Sequence, residues 1–431
     1  HPAPDMRDIV NPSPIGVESF LKLGYFIDYR ATRQPIDFSR IEKERYAETP
    51  RAELLVMGQE ALRASLAKDF QSSRDHVVPL SGGLDSRLIL CALLEHTEAK
   101  SIHTYTHGIP GSYDFEIGAQ LAKQAGTRHI SFPMNTMTYH EDDLLEVARR
   151  EDCQAVLFLN TPPREVERLF GGGTIWSGYV GDAVAGSHLH DPPSVTLDEA
   201  KLTYLRNRAF VRSMRLHRCD DEEFLPHVAG GRMDPEVLTW DEQVLFDEGV
   251  AKFTVAHVIW KGFTYKTPLI NSDWMDFMFS VPNRYRLERQ LMIDVGLAIS
   301  PSLFGLRSTN RIGHGFNAPK PLLKATFWWN RVRKLVHQFA PSVSWPNVQY
   351  NDFNEALRTS PDVRRIVRGA IERLRKRGIC DWVDFDGIWR RHERRLRNHG
   401  DALIVLASLQ LVLEARESAA VPPHVVGLVA G

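Results

Sequence analysis

Residues 76–90 read HVVPLSGGLDSRLIL: a run of β-branched residues, then two glycines and an aspartate between two serines, then an apolar stretch that favours a helix. A glycine-rich turn between a buried strand and a helix lets backbone N–H groups approach an anion, and the helix N-terminus adds favourable partial charge. Gly82 and Gly83, with the hydroxyls of Ser81 and Ser86, therefore make a candidate phosphate cradle. The spacing is not that of a P-loop, which requires G-x-x-x-x-G-K-[ST] and its lysine. A bare carboxylate among phosphates would repel them. Asp85 is thus expected to hold a divalent metal ion between two sets of oxygens.

Such a cradle needs a strand before it and a helix after it. Short β-rich runs occur at HVVPL (76–80), SIHTYTHG (101–108), RHISFP (128–133) and TIWSGYVG (174–181), with helical stretches between them. That alternation predicts right-handed crossovers and a parallel sheet with helices on both faces, whose ligands sit at the carboxyl ends of the strands. Beyond Asp191 strand signals fade and helices dominate. In SPDVRRIVRGAIERLRKRG, Ser360 is placed to cap, Pro361 suits the first turn and Gly378 ends the helix. Val363, Ile366, Val367, Ala370, Ile371 and Leu374 form its apolar stripe, and the arginines read as a solvated face. The expected organisation is an N-terminal arm or domain remnant over 1–52 and a synthetase-sized unit over 53–415. Within that unit the nucleotide-binding sheet spans about 70–190 and a helical part 191–415, with a tail over 416–431.

Composition sets outer limits. The 431 residues are 43% apolar and 25% charged, with net charge −1, so no whole-chain field draws the protein to nucleic acid. Cys91, Cys153, Cys219 and Cys380 never form a C-x-x-C pair, which argues for reduced thiols over a zinc site. Neither a membrane span nor a secretory signal is visible, and a cytoplasmic location follows as the expectation. The sequence starts at His1, so an upstream domain stays open.

SGGLDS resembles the signature loop of ATP pyrophosphatases, which cleave ATP between the α and β phosphates. Three further segments, in order, resemble the asparagine synthetase family. They are YTHGIPGSYDFEIGAQLAKQAGTRHISF with its acidic pair Asp114 and Glu116, TIWSGYVGDAVAGSH, and YKTPLINSDWMDFMFSVPNRYRL. In the second, Ser177, Gly178, Asp182 and Gly186 hold the positions of the family's S-G-x-G-[GS]-D-E-x-x-G-G. The resemblance implies the adenine nucleotide alpha hydrolase-like fold, ATP and Mg²⁺ as cofactors, and activation of a carboxylate as an acyl-adenylate that ammonia or an amine then attacks. It assigns the metal to Asp85 and Asp182, and the nucleotide to the 81–86 loop, the backbone of Ser177 and Gly178, and Pro79 and His107 at neighbouring strand ends.

Three departures from the family matter. Its glutamine-hydrolysing members carry an N-terminal domain opened by a catalytic cysteine, absent from this sequence, so free ammonia, an amine, or ammonia from a separate glutaminase partner is expected. Tyr179 stands where asparagine synthetases usually have glutamate, as in β-lactam synthetases, where the tyrosine works with a glutamate to deprotonate an amine; Glu248 is the expected partner here. The family's R-P-K-x-G-F becomes RIGHGF, with Gly313 in place of the lysine, so that Arg311, His314 and Lys320 are the nearby candidates for neutralising phosphate charge. The reading is an AMP-forming amide ligase acting on a small-molecule or peptide carboxylate, with no nucleic acid or membrane partner. Its rivals are a tRNA-modifying pyrophosphatase and a retired ATP-binding scaffold, the latter suggested by Gly313 and by Ala183 in place of the usual glutamate.

Overall fold

The computed structural model describes residues 12–29, 36–151, 157–233, 235–339 and 350–420; Cys153 and residues 421–431 of the tail lie outside it. Five strands, β1 (His76–Pro79), β2 (Ile102–Gly108), β3 (Arg128–Pro133), β4 (Thr174–Trp176) and β5 (Thr264–Lys266), form one sheet in the order β3-β2-β1-β4-β5. Every pairing is parallel, and His76 faces Ile102 on one side and Thr174 on the other.

Alternation along the strands builds two faces. Val77 packs with Tyr105, Val166, Phe170, Ile175 and Trp260. Val78, one residue on, joins the larger core of Leu88, Ile89, Ile117, Leu121 and Trp274. The helix Asp85–Leu94 links β1 to β2, and the helix Tyr113–Ala125 links β2 to β3. After β3 the chain passes through helices Glu141–Arg150 and Pro163–Phe170 and returns to the far side of β1 as β4. The direction of sheet growth therefore reverses between β1 and β4, and a crevice opens beyond their carboxyl ends.

The sheet departs from expectation in two places. TIWSGYVG is a strand only to Trp176; Gly178 approaches the neighbouring loop closely and Val180 takes φ 63°, so the chain leaves the ladder and starts a short helix at Gly181–Val184. β5 lies outside the 70–190 segment to which the sheet was assigned. Its three residues are too few for a period-2 pattern to register, and it forms because Thr264, Tyr265 and Lys266 dock beside Thr174, Ile175 and Trp176.

A second core is helical. Val363, Ile366, Val367, Ala370, Ile371 and Leu374 of helix Pro361–Arg377 are all buried, Ser360 Oγ accepts the Val363 N–H, and Gly378 ends the helix at φ 74°. They pack with Leu403, Leu406 and Leu413 of helix Gly400–Ala420 and with Val17, Phe20 and Leu21 of helix Pro14–Leu23. The arginines read as a solvated face bridge to neighbouring helices: Arg373 pairs with Glu141 and Glu414, and Arg377 with Glu417. Among the described residues no helix is long and apolar enough to cross a membrane.

Candidate active site

The SGGLDS loop leaves the end of β1 and turns into the helix Asp85–Leu94. Ser81 N–H donates to Ser86 Oγ (3.2 Å), and Gly83 N–H donates to Ser81 Oγ (3.1 Å), so the two serines hold the turn shut from within. Gly82 N–H donates to Asp114 Oδ1 (3.1 Å) and its carbonyl accepts from Thr309 N–H (3.1 Å). A Cβ on Gly82 would sit 2.9 Å from Thr309 Cγ2 and 3.1 Å from Ile117 Cβ, which is why the position is glycine. Burial raises the Asp114 pKa, while Gly82 N–H and Thr309 oppose the shift.

Arg87 anchors the loop from behind. Fully buried, it donates to the carbonyls of Leu303 (3.0 Å), Leu306 (3.1 Å) and Arg307 (2.5 Å). Burial lowers its pKa to about 10. The guanidinium is a structural clamp that fixes segment 303–310 over the cradle, and Asn310 Oδ1 is left there buried with no partner.

The second loop, Ser177–Asp182, leaves β4 beside the first. A Cβ on Gly178 would lie 2.6 Å from Asp85 Cβ, and one on Gly181 3.1 Å from Asp85 Oδ1, so the loops interlock through missing side chains. Val180 is β-branched yet left-handed, a conformation costing on the order of 1–3 kcal/mol that only surrounding structure sustains. Asp85 and Asp182 thereby come within electrostatic reach. Asp85 is pushed up to about 8, first by burial and then by the negative charge of Asp182, with Arg289 opposing. Its Oδ1 is buried and has no hydrogen-bond partner. Asp182 is better served: Ala183 N–H (2.8 Å) and Ser187 Oγ (3.2 Å) donate to it and His188 Nε2 lies at 3.7 Å. Burial raises its pKa, but His188, Arg289 and the Ala183 N–H outweigh that and the net direction is down.

The other expected site residues divide. Pro79 ends β1 at the base of the cradle. Ser177 N–H is spent on the Lys266 carbonyl (2.9 Å), so it is not left for a nucleotide, and its Oγ accepts from Tyr179 N–H (3.2 Å) while keeping its own O–H to donate. His107, at the end of β2, stands edge-on to Tyr350. Burial lowers its pKa to about 4, against a hydrogen bond with the Leu159 backbone, so it is neutral at pH 7. The Tyr179–Glu248 pairing is corrected: the fully buried Glu248 carboxylate takes Tyr25 Oη (3.0 Å), Ala229 N–H (2.8 Å) and Lys252 Nζ (2.7 Å). Tyr179 instead lines a cavity beside it.

Gly313 adopts φ 83° against the Tyr113 ring, a backbone position a lysine would occupy only under strain. His314 is bonded to Thr326 (2.9 Å) and Lys320 is exposed at a helix start. Arg311 is half-buried and feels Glu288, Arg289 and Asp294. The cation that acts electrostatically on both aspartates is Arg289, which sequence reasoning missed. Glu288 (φ 54°) and Arg289 (φ 62°) break the helical path before helix Gln290–Ile299 and aim that arginine. Its sequence surroundings, RYRLERQLM, carry no mark that separates it from Arg284 or Arg286.

A family model described as asparagine synthase matches residues 57–220. A curated relative, "Asparagine synthetase [glutamine-hydrolyzing] 2" of Arabidopsis thaliana, is 32% identical over 127 residues, which cover 26% of this chain and 22% of the relative. The match thus spans about a fifth of that protein's length.

Proposed function

We propose, from the match of residues 57–220 to the asparagine synthase family, that the chain is an ATP-dependent amide-forming ligase and that the crevice beyond β1 and β4 activates a carboxylic acid with ATP. The acid's oxygen bonds to the α-phosphorus, the bond to the β-phosphate oxygen breaks, and pyrophosphate leaves. Ammonia or an amine then attacks the acyl-adenylate, releasing AMP and, on losing a proton, giving the amide. One observation carries this reading: Asp85 Oδ1, buried without a partner, faces the field of a second carboxylate at the switch point of the sheet.

Two repelling carboxylates at the tip of a sheet fit a divalent cation that is absent from the chain's own atoms. Mg²⁺ is commonly held by one or two carboxylates and completed by phosphate oxygens and water. Bound there by Asp85 and Asp182, Mg²⁺ would neutralise phosphate charge. The chain's own part is positioning. The cradle amides of Ser81, Gly82 and Gly83, held here by Ser86, Asp114 and Ser81, would exchange those acceptors for phosphate oxygens at the helix start, and Arg289 and Arg311 supply positive charge where Gly313 supplies none. Tyr179 stands beside the acyl group as the relay for a proton leaving an amine.

Incubation with ATP, Mg²⁺ and pooled carboxylates tests the reading. Pyrophosphate and AMP formed in an acid-dependent way support the ligase. Tight ATP binding with no turnover on any acid would mean a retired scaffold.

A further inference from the structure

The loop that carries Asp182 has a second side. Gly178 lies against Asp85, and the next residue, Tyr179, forms part of the wall of a cavity of about 770 Å³. Phe246, Val250 and Ala251 line it from a π-helix, Leu245–Thr254, and Phe38 and Leu238 also contribute. A π-helical turn is wider and less well bonded than an α-helical one, and such segments persist mainly where they re-aim side chains at a functional site. One wall of the cavity is thus built on ten consecutive π-helical residues, a backbone form frequent at functional sites.

We infer that this cavity holds the acid that is activated, and that the acid has a large apolar body. The inference rests on the ligase reading above and adds the substrate class. Its volume falls within the roughly 300–1,000 Å³ typical of sites that enclose drug-sized ligands, far beyond what ammonia or the side chain of aspartate needs. Its wall joins aliphatic and aromatic side chains such as Ile27, Phe38, Leu238, Phe246 and Val250 to a polar part that includes the exposed carboxylates of Asp28 and Asp37. The two described cations that line it are already neutralised, Arg232 by Asp247 (2.8 Å) and Lys252 by Glu248 (2.7 Å), with Lys252 also donating to the Ile27 carbonyl. A dicarboxylic amino acid would bury a second carboxylate against paired cations, at a desolvation cost nothing here offsets. An apolar chain would instead gain transfer energy for the surface that the apolar side chains cover. Tyr179 is the link between the two: it follows Gly178, which packs against Asp85, and its own side chain lines the cavity on the other side of that loop.

Binding of cis-parinaric acid, an apolar carboxylate whose fluorescence rises in a dry pocket, tests the cavity without nucleotide or turnover. The full chain is expected to bind it saturably, at least tenfold more weakly after Ala251→Trp and less weakly after Ala251→Leu, with melting curves verifying that each variant folds. ATP–pyrophosphate exchange with dodecanoate or 3-phenylpropionate is expected to exceed that with aspartate at least tenfold in kcat/KM, and Ala251→Trp should raise KM for the apolar acids. No saturable binding by the wild type, or exchange that favours aspartate and ignores Ala251→Trp, overturns the inference and leaves the ligase reading intact. Binding that responds to Ala251→Trp while no acid supports exchange overturns the ligase reading and, with it, the role assigned to the bound acid.

Discussion

Two charged pairs lie on either side of the short helix Gly181–Val184, and the protein treats them in opposite ways. On one side, Arg286 and Glu242 are fully buried at 2.8 Å and well hydrogen-bonded: Arg286 donates to the Val184 carbonyl (2.9 Å) and to Asn283 Oδ1 (3.1 Å), while Glu242 caps its own helix through Thr239. On the other, the negative charge of Asp182 adds to burial in pushing Asp85 up to about 8, and Asp85 keeps an orphaned oxygen. A buried pair that is fully hydrogen-bonded holds structure in place. A buried oxygen without a partner, beside a second carboxylate that is itself half-exposed, is a cost to the protein and a mark of a functional site. The first pair pins the loop whose second face presents Asp182, so stability on one side fixes the geometry of instability on the other.

Substitutions should separate the two sides. Asp85→Asn is expected to cut acid-dependent pyrophosphate exchange by about 1,000-fold or more, yet to raise the melting temperature at pH 7 by about 2–4 °C, because the amide is neutral without the proton that Asp85, pushed up to about 8, must take up on folding; a fall in both would mean that Asp85 is structural. Arg286→Met should do the reverse on stability, costing about 3–5 kcal/mol in a denaturant titration, since it strands Glu242 in the core. Arg289→Ala is expected to lower exchange by about 100-fold with the denaturation midpoint nearly unchanged; an unaltered rate would return the missing lysine's role to Arg311 alone. Tyr179→Phe should slow amide formation by about tenfold and leave exchange alone, which stopped-flow separation of the two half-reactions would read. Smallest of all, Arg364→Ala, which removes a half-exposed ion pair with Glu393, should change stability by less than about 1 kcal/mol. A larger change would blur the contrast between buried and surface pairs.

Much of the scaffold could be read from local pattern. SGGLDS implies its strand and helix because only that arrangement presents amides to an anion, and the stripe from Val363 to Leu374 implies a buried helix face because its spacing follows the helical repeat. β5 was not legible, since three residues carry no period, and neither was the π-helix, whose wider turn spoils the pattern that reveals ordinary helices. Glu248 was drawn towards Tyr179 by a resemblance, whereas Tyr25 and Lys252, one of them far away in sequence, claim its oxygens.

The order of residues along the chain determined which groups could do chemistry: glycines where backbones must nearly touch, aspartates at two strand ends, a tyrosine between them. Those are properties of neighbours in sequence, set by sterics and hydrogen bonding within a few residues. Tertiary structure alone decided that β4 returns beside β1, that Asp182 therefore raises the Asp85 pKa, that Arg289 and not a lysine answers them, and that Tyr179 looks into an apolar cavity. The physical reason is that charge coupling and enclosed volume depend on distance through space, which the packing of the sheet and its helices sets and no local pattern encodes.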